Sequence, residues 1–266
     1  MRRRRLLGLL RKEFLELRRN PGLLVPVLIV AVSVLALPLL IAVGIPAWTG
    51  QRLADDSDLA RLSELAGPPA GLSDEAQVQF SLFQEFLVLL LLTPITGAMA
   101  LAAHSIVGEK QARTLEPLLA TPLTTAELLV AKVAGALWPS QVIALACVGL
   151  YLALIELSAL PGVAAAMVNP RTALLVLLVG PAASLNALQA AILVSSRVND
   201  ARTAQQVGVL LIVPIGGLVV AQFTGALWLS STVLAMIGLG LLGVWGLLVA
   251  ASVTLFRRET VLTRWR

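Results

Sequence analysis

The sequence predicts an all-α integral membrane protein with six transmembrane helices, on three observations. First, 58% of the 266 residues are hydrophobic, 13% are charged and mean hydropathy is +0.90, well beyond soluble globular usage. Second, apolar runs of about 20 residues recur, each enough to carry a helix across roughly 30 Å of hydrocarbon. Third, these runs are continuous, whereas the strands of a membrane barrel alternate apolar and polar residues. Backbone groups in lipid need internal partners, so helices remain.

The elements follow in chain order. Residues 1–20 read as an N-terminal amphipathic interfacial helix: Leu7, Leu10, Phe14 and Leu17 fall at helical spacing, with Arg2 to Arg5, Arg11, Lys12, Arg18 and Arg19 around them. Such a helix lies with its apolar stripe in the acyl region and its basic side toward anionic headgroups. It serves as a topology anchor, or as a lever joined to the first span; the residues fit both. The six-span domain covers 21–256, with spans at 22–46, 81–104, 129–157, 172–195, 207–228 and 231–256, and 257–266 forms a tail. Asn20-Pro21 places an N-cap before a proline at the first helical position. Ser73-Asp74-Glu75 starts the helix that becomes the second span, and Thr124-Thr-Ala-Glu127 is a capping box before the third. The turn from Leu227 to Ser231 must be very short. The four arginines before the first span resemble a signal peptide, but the apolar run is too long for one and five more spans follow.

Orientation follows from Lys and Arg. With the N-terminus inside, the inner segments hold seventeen of them against three outside, Arg52, Arg61 and Arg171. This bias places both termini in the cytoplasm of a cell membrane. The outer loop (47–80) holds Asp55, Asp56, Asp58, Glu64, Asp74 and Glu75. Within it, residues 55–66 predict an amphipathic helix with Leu59, Leu62 and Ala66 on one face, ended by Gly67-Pro68-Pro69. At some thirty residues it is too small for a domain of its own and is expected to cap the spans.

The basic balance, net charge +5 and pI near 10.3, does not imply nucleic acid, because the cations sit at span ends. Cys147 is the single cysteine, so no intrachain disulfide or cysteine metal site exists, and it reads as a buried bystander.

The polar segment 105–128 between spans two and three is the most distinctive part of the chain. Gly108 is expected to end the second span's helix. Glu109 and Arg113 stand at i, i+4 in the favourable order. Thr114 is a good N-cap for a short helix from Leu115 to Ala120. Pro117 falls in its first turn, where a missing N–H is harmless, and Glu116 there suits the helix dipole. Thr121-Pro122 stops it. Leu115, Leu118 and Leu119 then form a compact apolar knob rimmed by charge. That knob faces lipid or the protein itself, or it docks a partner; the crowded charges favour docking.

The run Glu109-Lys-Gln-Ala-Arg-Thr-Leu-Glu-Pro-Leu-Leu-Ala-Thr-Pro-Leu-Thr-Thr-Ala-Glu-Leu-Leu-Val-Ala-Lys132 resembles the cytoplasmic loop of type-2 ABC transporter permeases. The opening Arg11-Lys12-Glu13-Phe14 and Arg18-Arg19-Asn20-Pro21 is similar to that family's N-terminal interfacial helix. Arg113 stands where many members have Gly, and Pro117 interrupts the Leu-Glu-x-Leu-Leu step. The resemblance implies a coupling helix, Thr114 to Thr121, that docks on an ATP-hydrolysing subunit. Glu109, Lys110, Arg113, Thr114, Leu115, Glu116, Leu118, Leu119, Thr121 and Pro122 would form the contact. It further implies an exporter that works by alternating access and pairs with a second permease copy or paralogue.

The chain carries no Gly-x-x-x-x-Gly-Lys-Ser/Thr phosphate loop; Lys12, Lys110 and Lys132 precede Glu, Gln and Val. The chain is therefore not expected to be an enzyme. It would bind no cofactor itself, and ATP and Mg would sit on the separate ATPase. Membrane lipid is a further expected partner; nucleic acid is not. Among intramembrane polar residues, Thr93, Thr96, Asn186 and Gln189 are the candidate substrate path, though Thr, Asn and Gln also pair helices. Gln141 and Gln222 are of the same kind. His104 falls at the inner interface, where a solvated histidine is expected. Gly240, Gly243 and Gly246 are expected to permit close helix packing. An integral membrane enzyme would need convergent acid/base or metal groups, and only one His exists. An ion-coupled secondary transporter would need buried ionisable residues beside broken helices. Pro94, Pro181 and Pro214 offer the breaks, but no charged partner accompanies them.

Overall fold

Prolines decide the shape of the spans. The computed structural model describes residues 21–111, 125–195, 212–224 and 229–255. Every regular element among them is helical: α1 (Pro21–Leu39), α2 (Ile45–Thr49), α3 (Ser57–Ala66), α4 (Asp74–Phe86), α5 (Leu92–Gln111), α6 (Thr125–Ser158), α7 (Val163–Met167), α8 (Pro170–Leu174), α9 (Gly180–Ser195), α10 (Ile212–Phe223) and α11 (Ser231–Leu255). Three rods are continuous through a change of pitch. A π-helical turn, Leu40–Gly44, joins α1 to α2. A 3-10 segment, Leu87–Leu91, joins α4 to α5. A second π turn, Leu175–Val179, joins α8 to α9. Each lies just before a proline, Pro46, Pro94 or Pro181. A proline lacks the N–H that the carbonyl four residues earlier would accept, and its ring crowds that carbonyl. The expected breaks at Pro94 and Pro181 are thus local changes of pitch in helices that continue. Gln79 supplies the donor missing at Pro46: its Nε2 donates to Ala42 O at 3.1 Å.

Five helices among the described residues are long and apolar enough to cross a membrane: Val27–Thr49, Asp74–Ala102, Val133–Ser158, Pro170–Val194 and Ser231–Ser252. The expected fifth span, 207–228, is described only over part of its length, in α10. Two rods are central. In their most apolar windows 78% of the α4–α5 span and 61% of the α8–α9 span is buried, against 28%, 22% and 11% for the first, third and last. α5 packs against α1, α6 and α9, and α9 also meets α6 and α11. The outward faces of α1, α6 and α11 expose residues such as Ile29, Val32, Trp138 and Leu247, which suits contact with acyl chains.

Close approach occurs at Gly97, where an added Cβ would stand 3.2 Å from Ser140 Cβ and 3.6 Å from Val27 Cγ1. At Gly238 an added Cβ would be 2.6 Å from Leu178 Cγ. Gly240, Gly243 and Gly246 face open space among the described residues, contrary to the packing role expected of them. Gly108 does not end its helix either: α5 runs on to Gln111. A glycine inside a helix costs only about 1 kcal/mol, which the rest of that long rod outweighs.

Between α2 and α4 the chain builds a cap. α3 begins two residues later than expected, after a 3-10 turn at Leu53–Asp55, because Asp56 is the N-cap: its Oδ1 accepts from Asp58 N at 2.9 Å and Leu59 N at 3.2 Å. Gly67 ends it with φ 57°, a left-handed conformation that favours glycine. Leu59, Leu62 and Ala66 are half-buried on its inner face. Ser73 caps α4 as expected, its Oγ accepting from Ala76 N, and Glu75 accepts from Leu53 N and Ala54 N. Asp56→Ala is expected to cost about 1 kcal/mol and to speed amide exchange in 57–66 roughly fivefold. Unchanged exchange there would show that the cap contributes nothing.

Candidate functional site

The cap sits at the end of the bundle where α2 finishes and α4, α8 and α11 begin. At this loop end, α4 carries three buried polar side chains, Gln79, Gln84 and Glu85, which reach out to different neighbours. Gln79 joins α1–α2 to the chain after α6, since its Oε1 accepts from Leu160 N at 2.9 Å. Gln84 Oε1 accepts from Asn169 Nδ2 at 3.0 Å, and Gln84 Nε2 donates to Thr172 Oγ1 at 3.4 Å. Asn169 is also the N-cap of α8, accepting from Thr172 N at 2.9 Å. Beside this network Arg171 Nη2 meets Glu85 Oε1 at 3.3 Å, and the two residues are 8% and 2% exposed. Beneath it Tyr151 donates its hydroxyl to Phe83 O at 2.9 Å, and the two rings meet edge to face with centroids 5.9 Å apart.

A cavity of about 310 Å³ opens beside this network, lined by Phe80, Gln84, Asn169, Arg171, Ser230 and Ser231 together with Ala66, Gly67, Pro69, Ala166 and Pro170. The arrangement can bind and orient a polar group. Among the described residues no cluster of three or more His, Cys, Asp or Glu could hold a metal ion.

From the sequence Arg171 reads as one of three outer cations, and Glu85 falls near the outer end of the second span. The structure buries both and pairs them. A signal was present: Glu85 lies within an apolar span, which demands a partner. Of the three cations on that side only Arg171 opens another span.

A family model described as ABC-2 family transporter protein matches residues 7–226. The chain belongs to the ABC-2 transporter family. It is a membrane-spanning ABC transporter permease, a component of transport that is not itself catalytic. A comparison with curated proteins finds no match.

In this ABC-2 permease only two of the expected coupling residues are described, and they fall at the opposite end of their span from the cavity. Glu109 and Lys110 lie in the last turn of α5. Arg113, Thr114, Leu115, Glu116, Leu118, Leu119, Thr121 and Pro122 lie outside the described residues, as do the N-terminal segment 1–20, the cap residue Thr124 and the tail. The four candidate substrate-path residues do not line the cavity. Thr96 Oγ1 donates to Leu92 O of its own helix. Asn186 Nδ2 donates to Leu241 O across to α11 at 2.8 Å. Gln189 Nε2 donates to Ser252 Oγ, again across to α11. Thr93 is fully buried with its hydroxyl unpartnered among the described residues. Asn186 and Gln189 therefore fasten α9 to α11. Gln222 of α10 is buried with neither amide atom hydrogen-bonded among the described residues. Cys147 is buried and free.

Proposed function

We propose that this permease is half of the membrane domain of an ATP-driven exporter. A partner ATPase chain hydrolyses ATP with Mg, and a second permease copy or paralogue completes the pathway. The family match over residues 7–226 carries this reading: it includes the polar segment, whose run from Glu109 to Lys132 has the charged stretch, Thr-Leu-Glu, paired leucines and Thr-Pro step of a coupling loop. The bias of seventeen of twenty Lys and Arg to one side supports a cytoplasmic position for that loop and both termini. The residues Thr114 to Thr121 form the docking helix. Leu115, Leu118 and Leu119 enter a groove on the ATPase, and Glu109, Lys110, Arg113 and Glu116 form the rim. Closure of the ATPase pair pushes this helix and rocks the spans between inward and outward states. The unbroken run of α5 to Gln111 supports that transmission, because a stiff rod leads from the loop into the most buried part of the bundle.

The test is co-purification of the permease with its ATPase subunit, with ATP-dependent transport in vesicles. Reversing charge with Glu109→Lys and Glu116→Lys is expected to remove most of the ATPase from the complex and to reduce transport at least tenfold, since like charges at an interface cost several kcal/mol. Unchanged binding and transport would sink the docking role.

A further inference from the structure

We infer that the outer pieces of the two central rods swing as one body on a paired hinge, formed where the 3-10 segment Leu87–Leu91 packs against the π turn Leu175–Val179. Both rods change pitch, and the two changes lie side by side in the bundle. A bend in one buried rod needs a matching bend in the neighbour packed on it, and this level is where both are weakest. Pro94 and Pro181 offer no N–H to Leu90 O and Leu177 O, so neither rod can run regular α-helical bonds through it. The contacts at this level are apolar. Leu91 Cδ2 lies 3.4 Å from where a Cβ on Gly180 would stand, and Leu178 lies against Gly238 of α11. Such contacts have no preferred direction and tolerate a small slide.

The clamps fall on either side of this level. Outward of it, Gln84 is bonded to Asn169 and Thr172, and Glu85 to Arg171, which ties α4 to α8. Gln79 adds the α1–α2 rod through Ala42 O. Inward of it, Gly97 of α5 fits against Ser140 of α6, and Asn186 and Gln189 bind α9 to α11. α6 touches both bodies, at Ser140 and at Tyr151, as one continuous helix, and so limits the swing. Thr93 balances the two pitches. Its hydroxyl is fully buried and unpartnered among the described residues. In the 3-10 pitch Leu89 O accepts from Leu92 N. An α pitch would set Thr93 Oγ1 on Leu89 O, the relation in which Thr96 Oγ1 meets Leu92 O at 2.7 Å, but would leave Leu90 O without a donor at Pro94. Each pitch leaves one buried polar group unmet, and two states of similar energy are what a hinge requires. The use of this hinge in rocking the spans rests on the transport reading, whereas the bending itself is read on the permease alone.

The experiment uses the full chain in nanodiscs, spin-labelled in pairs on a Cys147→Ser background, diluted among unlabelled chains and read by double electron–electron resonance. Leu65→Cys/Leu247→Cys spans the hinge. Leu65→Cys/Val168→Cys lies within the outer body, and Trp138→Cys/Leu247→Cys within the inner one. All four positions are exposed. The pair across the hinge is expected to give a distance distribution about twice as wide as either control pair. Pro94→Ala/Pro181→Ala restores the missing donors and is expected to remove about half or more of that excess width. Thr93→Val keeps the shape of the side chain, removes the orphaned hydroxyl and favours the present pitch. It is expected to narrow the same distribution, and it serves as a second variant if the proline pair fails to fold. A pair across the hinge as narrow as the controls, or an excess width unchanged in a folded variant of either kind, overturns the inference. No ATPase enters this readout, so a failed docking test leaves the hinge standing, and a failed hinge leaves the docking result standing.

Discussion

Arg171→Leu is expected to destabilise the folded permease by about 3–5 kcal/mol, because it leaves the Glu85 carboxylate buried without its cation. Glu85 Oε2 already has no hydrogen-bond partner among the described residues, so the contact of Arg171 Nη2 with Oε1 holds this carboxylate inside the bundle. The paired change Arg171→Leu/Glu85→Leu is expected to be close to neutral, since apolar replacement of a whole buried pair removes the desolvation cost along with the attraction. The measurement is the thermal midpoint of detergent-purified protein by fluorescence-detected gel filtration. The single variant should fall by roughly 10 °C and the double by no more than a few degrees. A double variant as unstable as the single would show that the loss comes from packing at Arg171 and not from an orphaned charge.

Tyr151→Ala should be nearly as damaging, at about 3 kcal/mol. Tyr151 and Phe83 are both fully buried where α6 crosses α4. Apolar transfer contributes little to helix association when the alternative is lipid. The cost comes instead from the cavity left behind, from an edge-to-face contact worth about 0.5–1.5 kcal/mol, and from the bond to Phe83 O. Tyr151→Phe removes only that bond and is expected to cost about 0.6 kcal/mol. The same melting assay separates them. If Tyr151→Phe were as destabilising as Tyr151→Ala, the hydroxyl and not the ring packing would hold α6 to α4.

Much of the architecture was legible because it depends on local patterns. Long apolar runs mark spans wherever water is absent. Ser73 and Gly67 act within one turn of their own positions, so that cap and that stop could be read from neighbours. Gly108 was misread because a glycine's local preference is weak beside the stability of a long packed rod. The glycines of α11 were misread for a related reason. Spacing shows that a small face exists, not whether a neighbour comes to it, and in this fold Gly238 meets Leu178 while Gly240, Gly243 and Gly246 do not meet a described side chain.

The sequence by itself determined that this is a helical membrane protein, the positions of most spans, and a contiguous polar segment that resembles the cytoplasmic loop of its family. Composition and hydropathy are sums over neighbours, and the loop is a contiguous motif. Only the tertiary structure decided that Glu85 and Arg171, 86 residues apart, form one buried pair beside a cavity, and that Asn186 and Gln189 fasten α9 to α11. Those facts depend on which helix faces cross and at what depth. The chain cannot encode them locally, because the cost of burying a charge or an amide is met by a partner that only packing brings within reach.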